Sequence, residues 1–117
     1  MVHEMKLNPQ PFLMIAKGDK TVELRLYDEK RRRIMPADVI IFINVNNPES
    51  RLSATVKKLH VFDSFKELYE SLPLDRCGYM GDDLLSASYE DMNAYYSPEE
   101  QQRFGVVGIE IENVKVL

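Results

Sequence analysis

The sequence is poor in cysteine and has no long apolar run. Cys77 is the only cysteine among 117 residues, so an internal disulfide is excluded, and a reducing cytoplasmic setting is the simplest expectation. No stretch approaches the ~20 apolar residues that a membrane-spanning helix needs. The first residues lack a basic start followed by an apolar block, and we therefore expect neither a secretory signal nor a membrane partner.

Several motifs of catalysis and cofactor binding are also missing. There is no Gly-rich phosphate loop and no Cys/His cluster with zinc spacing. Cys77 has no histidine nearby in the sequence, which argues against a nucleophilic thiol. The acids at 82–83 and 90–91 fall on loop or helix-start positions and are typical of solubilising charge. We expect no metal ion and no organic cofactor.

The composition is that of one globular domain, which we place at residues 1–117. Hydrophobic residues make up 44% of the chain and charged residues 29%. The net charge of -4 hides an asymmetry, because residues 1–62 carry 11 Lys and Arg against 7 Asp and Glu, whereas residues 63–117 carry 4 against 12. A basic half on an acidic protein can still hold an anion locally.

The most informative stretch, residues 18–27, is a turn followed by a predicted strand. Val22, Leu24 and Leu26 alternate with polar residues, so the apolar set can enter a core while the polar set lines a surface. Glu23 and Arg25 fall on the polar face, roughly 7 Å apart along the strand. They can therefore touch one small ligand or one nucleotide, although an exposed face with a weak ion pair gives the same pattern.

Lys20 lies between a predicted helix and this strand. Asn8 is typical of a helix N-cap, Pro9 suits the first helical position, and Gly18 suits the C-terminal end, where it adopts a left-handed conformation at no steric cost. By strict alternation Lys20 would share the apolar face of the strand. It reaches a cleft only if the strand starts after it or if it lies at a rim.

The rest of the chain predicts three more strands and a set of helices between the last two. Residues 3–7, before the helix, are a further short strand candidate. The nearly continuous apolar run at 39–45 predicts a strand buried on both faces, and alternation predicts a strand over 52–62 and a last strand over 107–112 with one buried face. Asn46-Asn47-Pro48 predicts a turn. Helix starts are indicated at Ser64, Ser88 and Ser97. The fold class is therefore α+β: a small, mostly antiparallel β-barrel with a helix before the second strand and a helical insertion before the last strand.

Four other features of the sequence have more than one interpretation. The basic run at 30–33 is typical of a solvated turn, or it forms an electropositive lip beside a cleft. Asn44 begins the predicted turn, or it presents its amide to the edge of a base. His60 is more typical of a half-buried structural residue than of a ligand. Gly108 allows another backbone or a ligand to approach the last strand closely.

The spacing of Gly18, Lys20, Glu23 and Arg25 closely resembles the Gly-x-Lys-x-x-Glu-x-Arg signature of the ASCH domain, which is related to the PUA fold. Further similarity covers nearly the whole chain, at 7–12, 38–42, 95–97 and 104–110. Ala37 stands where a glycine is more usual. The resemblance implies a PUA-like barrel with a cleft beside the signature, in which such domains are generally supposed to bind RNA.

Under this hypothesis the partner is RNA or a nucleotide-like small molecule. Lys20 and Arg25 would hold phosphate or a base edge, because a guanidinium offers a planar fork of donors. Glu23 would accept from an exocyclic amine. Tyr27 or Tyr96 would stack on a base, with Tyr95 as an alternative, although core packing with a hydroxyl at the surface is the commoner role of such tyrosines.

Two other functions stay open from the sequence. Some ASCH-like proteins are amidohydrolases that act on an acylated cytidine through a lysine, a threonine and a glutamate, and other branches resemble nucleases. Lys20 matches that lysine, with Lys20 and Glu23 as the catalytic candidates. However, Glu23 stands where that branch has its threonine, and the neighbouring Thr21 does not occupy the position. The third possibility is a regulatory or metabolite-sensing domain without turnover.

Overall fold

The computed structural model describes residues 1–117 and contains five strands and four α-helices. The strands are β1 (Val2–Leu7), β2 (Val22–Leu26), β3 (Val39–Asn44), β4 (Asn47–Phe62) and β5 (Val106–Val116). The helices are α1 (Pro9–Lys17), α2 (Phe65–Ser71), α3 (Asp82–Leu85) and α4 (Pro98–Phe104). Short 3-10 turns occupy Arg31–Arg33, Leu74–Arg76 and Tyr89–Ala94. None of the helices is long and apolar enough to cross a membrane.

The five strands form one sheet in the order β1-β3-β4-β5-β2, which has the shape of a half-barrel. β1 pairs with β3 in parallel, and the other three pairs are antiparallel. The α+β prediction is confirmed, with a helix before the second strand and a helical insertion before the last. The two edge strands, β1 and β2, are bridged where Arg25 Nη2 donates to the Lys6 carbonyl oxygen at 2.9 Å.

The buried apolar side chains form two clusters. The larger cluster joins β1, α1, β3, β4 and β5 and includes Ile15, Phe42 and Ile109. The smaller cluster joins the apolar face of β2 to the helical insertion and includes Leu24 and Phe65. Strand β2 is therefore covered by the insertion on its apolar face, which leaves its polar face directed to the opposite side.

Helix α1 begins and ends where the sequence predicts. Asn8 occupies the N-cap position, although its side chain makes no capping hydrogen bond, and Pro9 follows at the first helical position. Gly18 ends the helix with a φ of 85°, and its N–H donates to the Ile15 carbonyl at 3.0 Å. Because β2 starts only at Val22, Lys20 precedes the strand and is free of its alternation.

The turn between β3 and β4 lies earlier than predicted. Val45 and Asn46 form a two-residue hairpin turn, and Asn47 and Pro48 already belong to β4. The reason is local: Asn44 Oδ1 accepts a hydrogen bond from the Asn46 N–H at 3.0 Å, which closes the hairpin. Strand β3 was also expected to be buried on both faces, but full burial is confined to alternate residues, Ile40 and Phe42.

Strand β5 is covered more completely than its alternation predicts. Val106, Val107, Gly108 and Ile109 are all buried, because helix α2 packs on the face that was expected to be open. A Cβ atom added at Gly108 would lie 2.6 Å from Leu72 Cδ1. The close approach at Gly108 is therefore made by a side chain of this protein.

Candidate ligand-binding cavity

A cavity of about 530 Å³ opens between the C-terminal end of β1, helix α1, the start of β2 and the helical insertion. This volume falls within the range of small-molecule sites, about 300–1,000 Å³. Half of its 22 lining residues are hydrophobic. Its polar lining includes Lys20, Glu23, Arg25, Tyr79 and Asp91.

Three charged side chains converge at one side of the cavity. Lys20 Nζ lies 2.7 Å from Glu23 Oε1, and Arg25 Nε donates to Glu23 Oε2 at 2.8 Å. Their side chains are 9%, 5% and 15% exposed, respectively. Each oxygen of the Glu23 carboxylate thus contacts one cation. We call this group, Lys20, Glu23 and Arg25, the charged triad.

The helical insertion holds the triad in place. The Thr21 N–H donates to the Arg76 carbonyl at 2.9 Å, which ties the segment before β2 to the insertion. Gly78, with a φ of 112°, lies under the aliphatic part of Lys20, and a Cβ added there would be 3.6 Å from Lys20 Cδ. Lys20 therefore packs its methylene groups on backbone and directs its ammonium to Glu23.

The triad carries one net positive charge and keeps donors available. Burial alone would raise the pKa of Glu23, but the charges and hydrogen bonds of Lys20 and Arg25 outweigh it and hold that pKa below its usual value. Glu23 is therefore ionised near neutral pH. The Tyr96 hydroxyl lies beside the Arg25 guanidinium, and the Lys20 ammonium has three donors of which Glu23 takes one.

A hydrogen-bonded chain lines another part of the cavity. Tyr69 and Tyr79 place their hydroxyl oxygens 2.6 Å apart, and the Tyr79 hydroxyl donates to Asp91 Oδ2 at 2.8 Å. Burial, together with these hydrogen bonds, raises the pKa of Tyr79, so the hydroxyl stays protonated. The same Asp91 oxygen accepts from the Ser88 N–H at 3.1 Å.

The sequence analysis did not identify Tyr69, Tyr79 and Asp91 as lining residues of the cavity. Tyr69 follows the helical spacing of α2, and Asp91 belongs to the acids at 90–91 that are typical of solubilising charge. Asp91 instead forms a capping box with Ser88 as well as holding Tyr79. No local pattern distinguishes these side chains from ordinary ones, since their meeting depends on how the insertion folds back over β2.

The two candidate stacking residues at the end of the insertion have different surroundings. Tyr96 lines the cavity beside Arg25, and its ring stacks on Phe65 with centroids 6.2 Å apart. Burial raises the pKa of Tyr96, although the charge of Arg25 opposes the shift. Tyr95 also lines the cavity and is 67% exposed, so its ring is the more available to a ligand.

Two predicted site residues lie outside the cavity. Tyr27 comes after the end of β2; its ring packs against the larger core cluster and lies 4.4 Å from the Arg32 guanidinium carbon. Asn44 uses its side-chain oxygen to close the β3–β4 hairpin. Neither side chain approaches the triad, because Tyr27 lies beyond the end of β2 and Asn44 lies at the β3–β4 hairpin. The structure therefore does not bring Tyr27 and Asn44 to this cavity, and their contact with a base stays a prediction.

The remaining candidates of the sequence have structural partners. His60 Nε2 lies 2.9 Å from Glu110 Oε1 on the surface between β4 and β5. Cys77 lines the cavity, but burial raises its pKa to about 11 and keeps the thiol protonated. No three His, Cys, Asp or Glu side chains come together in a way that could hold a metal ion.

Comparisons with known proteins agree with the half-barrel fold. The ASCH domain family model matches residues 5–115. The crystal structure of the hypothetical protein PH0355 is 34% identical, with 96% of this chain and 98% of that chain covered and a TM-score of 0.78. The solution structure of protein PF0455 from Pyrococcus furiosus is also 34% identical, with 96% of each chain covered and a TM-score of 0.67.

The fold thus defines a PUA-like α+β protein, and the chain belongs to the ASCH domain family. A crystal structure of ASCH from Zymomonas mobilis shares the fold at 18% identity and a TM-score of 0.61, over 94% of this chain and 66% of that one. Among curated proteins, no significant match was found.

Proposed function

We propose that the cavity binds one nucleotide unit, either free or as an unpaired residue of single-stranded RNA. The charged triad is the observation that carries this proposal. It combines cationic donors, on Lys20 and Arg25, with an ionised acceptor, Glu23, within one pocket. Membership of the ASCH domain family, whose members are generally supposed to bind RNA, supports the same function.

The triad matches a base edge that places an exocyclic amine beside an acceptor. A carboxylate accepts from the amine of cytosine, while a guanidinium or an ammonium donates to the neighbouring ring nitrogen or carbonyl oxygen. Uracil has no exocyclic amine and would leave Glu23 unmatched. We therefore expect cytidine to bind more tightly than uridine, because a buried polar group without its partner is costly.

Tyr95 supplies a stacking surface at the edge of the cavity. Its ring is 67% exposed, and single-stranded nucleic acids gain about 1–3 kcal/mol per base from stacking on aromatic side chains. Tyr96 has one ring face against Phe65 and contributes its hydroxyl beside Arg25.

Binding is favoured over amidohydrolysis by the position of the only threonine near the triad. Thr21 does not line the cavity, and its N–H is bound to Arg76. Lys20 is engaged with Glu23 at 2.7 Å, so a neutral Lys20 acting as a base would remove one of the two cations that balance a buried carboxylate. Hydrolysis of an acylated cytidine, or cleavage of RNA, is therefore the second candidate.

Calorimetric titration with the four nucleosides and with a short single-stranded RNA tests the proposal. Arg25→Ala should weaken cytidine binding about tenfold or more, and Arg25→Lys should weaken it too, because lysine keeps the charge but loses the planar fork. Arg103→Ala is the matched control, since Arg103 lies on α4 over the Phe104 ring and does not line the cavity. Melting curves of each variant exclude unfolding as the cause.

Two results would contradict the proposal. Unchanged affinity in folded Arg25→Ala and Arg25→Lys variants would remove the triad from binding. Release of a carboxylate from an acylated cytidine, or of RNA fragments, seen by mass spectrometry and lost in Lys20→Met, would replace binding by catalysis.

A further inference from the structure

A second, smaller hollow begins where the cavity ends. It has a volume of about 290 Å³, and Lys6 and Arg25 line both spaces. It lies at the seam between the edge strands β1 and β2, beside the 3-10 turn that follows β2. Four of its seven lining residues are cationic, namely Lys6, Arg25, Lys30 and Arg31.

The charges of this hollow are only partly balanced within the protein. Arg25 is paired with Glu23, and Arg31 Nη1 lies 3.1 Å from Asp28 Oδ2. Lys6 and Lys30 are exposed and have no carboxylate within 4.0 Å. The one acidic lining residue, Glu4, is 63% exposed and lies 4.0 Å from Arg51. The hollow is therefore positively charged overall.

Arg31, a lining residue of this hollow, carries a buried donor with no partner in the protein. Its Nε is buried and has no hydrogen-bond partner, whereas Nη1 is bound to Asp28. A buried donor without an acceptor destabilises the state in which it occurs. A small rotation of the guanidinium toward an oxyanion would give it an acceptor, and arginine is well suited to phosphate.

The other two arginines of the basic run have different environments. Arg32 covers the Tyr27 ring and donates through Nη2 to the Phe104 carbonyl at 3.0 Å. Arg33 is 69% exposed, reaches only Glu29 at 3.5 Å, and does not line the hollow. The structure thus divides the run, with Lys30 and Arg31 at the hollow and Arg32 and Arg33 away from it.

We infer that the second hollow binds the phosphate attached to the nucleoside that occupies the cavity. The inference rests on the proposed function, and it adds a phosphate site to the base site. Arg25, at the junction, contacts the base through the cavity, while Lys6, Lys30 and Arg31 surround the phosphate. The phosphate can belong to a free nucleoside monophosphate or to the backbone of single-stranded RNA, since both present the same oxyanion.

The test compares four probes built on the best-bound of the four nucleosides: the nucleoside itself, its 3′-monophosphate, its 5′-monophosphate and a dinucleotide. At low salt, one of the monophosphates should bind about tenfold more tightly than the nucleoside. Lys30→Gln should reduce that gain about threefold and leave nucleoside affinity unchanged. Arg33→Gln, on the same turn, is the matched control and should alter neither affinity. A further gain with the dinucleotide would identify RNA as the source of the phosphate, and an equal affinity would identify the free nucleotide.

Two additional measurements test the phosphate site without relying on the Lys30→Gln variant alone. The Nε–Hε resonance of Arg31 should move on titration with the monophosphate and stay in place with the nucleoside. The gain from phosphate should also fall as the salt concentration rises, because salt screens the attraction between the phosphate and the cationic side chains of the hollow. Lys30 is exposed and unpaired, so Lys30→Gln is expected to fold normally.

The outcomes separate this inference from the proposed function. A nucleoside that binds through Arg25 but gains nothing from phosphate overturns the inference alone. A gain that survives both Lys30→Gln and Arg31→Gln also overturns it alone, because the phosphate would then lie elsewhere. Absence of any nucleoside or nucleotide binding overturns both.

Discussion

Ala37 has a backbone conformation that L-amino acids rarely adopt. Its φ is 75°, in the turn before β3, and its side chain is exposed. A non-glycine residue in this region costs about 1–2 kcal/mol, whereas glycine adopts it freely. Ala37→Gly should therefore raise the free energy of unfolding by about 1 kcal/mol, as measured by urea denaturation.

The same substitution within a helix gives the control. Ala16 lies in α1, where glycine is about 1 kcal/mol less favourable than alanine. Ala16→Gly should lower the free energy of unfolding, so the two variants should change it in opposite directions. A loss of stability in Ala37→Gly would mean that the strain at this turn is negligible.

Glu23 determines the stability of the charged triad. Glu23→Gln would leave Lys20 and Arg25 buried with no carboxylate, and breaking a buried ion pair in this way typically costs about 3–5 kcal/mol. We expect a loss near the lower value in urea denaturation, since glutamine keeps one acceptor. Glu29→Gln, whose partner Arg33 is exposed, should change stability by less than about 1 kcal/mol. Equal small effects in the two variants would show that the triad is solvated.

At the scale of elements, the contact between α2 and β5 depends on Gly108. A Cβ at this position would lie 2.6 Å from Leu72 Cδ1 and 3.2 Å from Val22 Cγ1. Overpacking of this kind costs about 1–3 kcal/mol, so Gly108→Ala should destabilise the protein by that amount. Urea denaturation of the Gly108→Ala and Leu72→Ala variants measures the free energy of unfolding that each one loses.

A double-mutant cycle identifies the cause. If the Leu72 side chain obstructs the new methyl group, Gly108→Ala combined with Leu72→Ala should be more stable than the sum of the single effects predicts. Additive effects would locate the clash at Val22 instead. In that case position 108 requires glycine because of the close spacing between β2 and β5, and not because of the packing of α2.

Element boundaries could be predicted where the signal is local. Gly18 ends α1, and Ser97 with Pro98 begins α4 through a full capping box, because these residues act on backbone groups a few positions away. The β3–β4 turn was predicted too late in the chain, because Asn46-Asn47-Pro48 is the more obvious turn composition, whereas the hydrogen bond from the Asn46 N–H to Asn44 Oδ1 closes the hairpin earlier. The short helix α3 had no local signal strong enough to predict it.

At the scale of the whole molecule, stability should fall in acid through carboxylates that are paired in the fold. Asp38 accepts from His3 Nε2 at 2.8 Å, from the Met35 N–H at 3.0 Å and from the N-terminal ammonium at 3.1 Å. The hydrogen bond from His3 is the largest of these causes, and together they lower the pKa of Asp38 from 3.8 to about 2.

Asp38 contributes to stability when its carboxyl group is ionised, so this contribution depends on pH. Since the folded pKa of Asp38 is below the unfolded value, its contribution is fully present above about pH 4 and is lost as the pH falls toward 2. Asp38→Asn should therefore be less stable than the wild type at pH 5, and the difference in melting temperature should shrink between pH 4 and pH 2. Asp63→Asn, an exposed residue with no side-chain partner, is the control. A difference that stays constant with pH would contradict the assignment.

The sequence by itself determined the α+β class and the order of the elements, and it singled out Lys20, Glu23 and Arg25 as site candidates. Periodicity, caps and a short signature are local, because each depends on residues within one strand or one turn of a helix. Glu23 and Arg25 share the polar face of β2 by alternation alone, whereas Lys20 joins them because the strand starts only at Val22.

Only the tertiary structure decided what surrounds the triad. Tyr79 and Asp91 reach the cavity through the helical insertion, and Lys6 reaches it through β1, at separations that no local rule covers. The same long-range packing placed Tyr27 against the larger core cluster and covered Gly108 with α2. Side-chain chemistry can be read from the sequence, but which groups share one pocket depends on contacts between distant segments, and those are fixed only when the sheet and the insertion pack together.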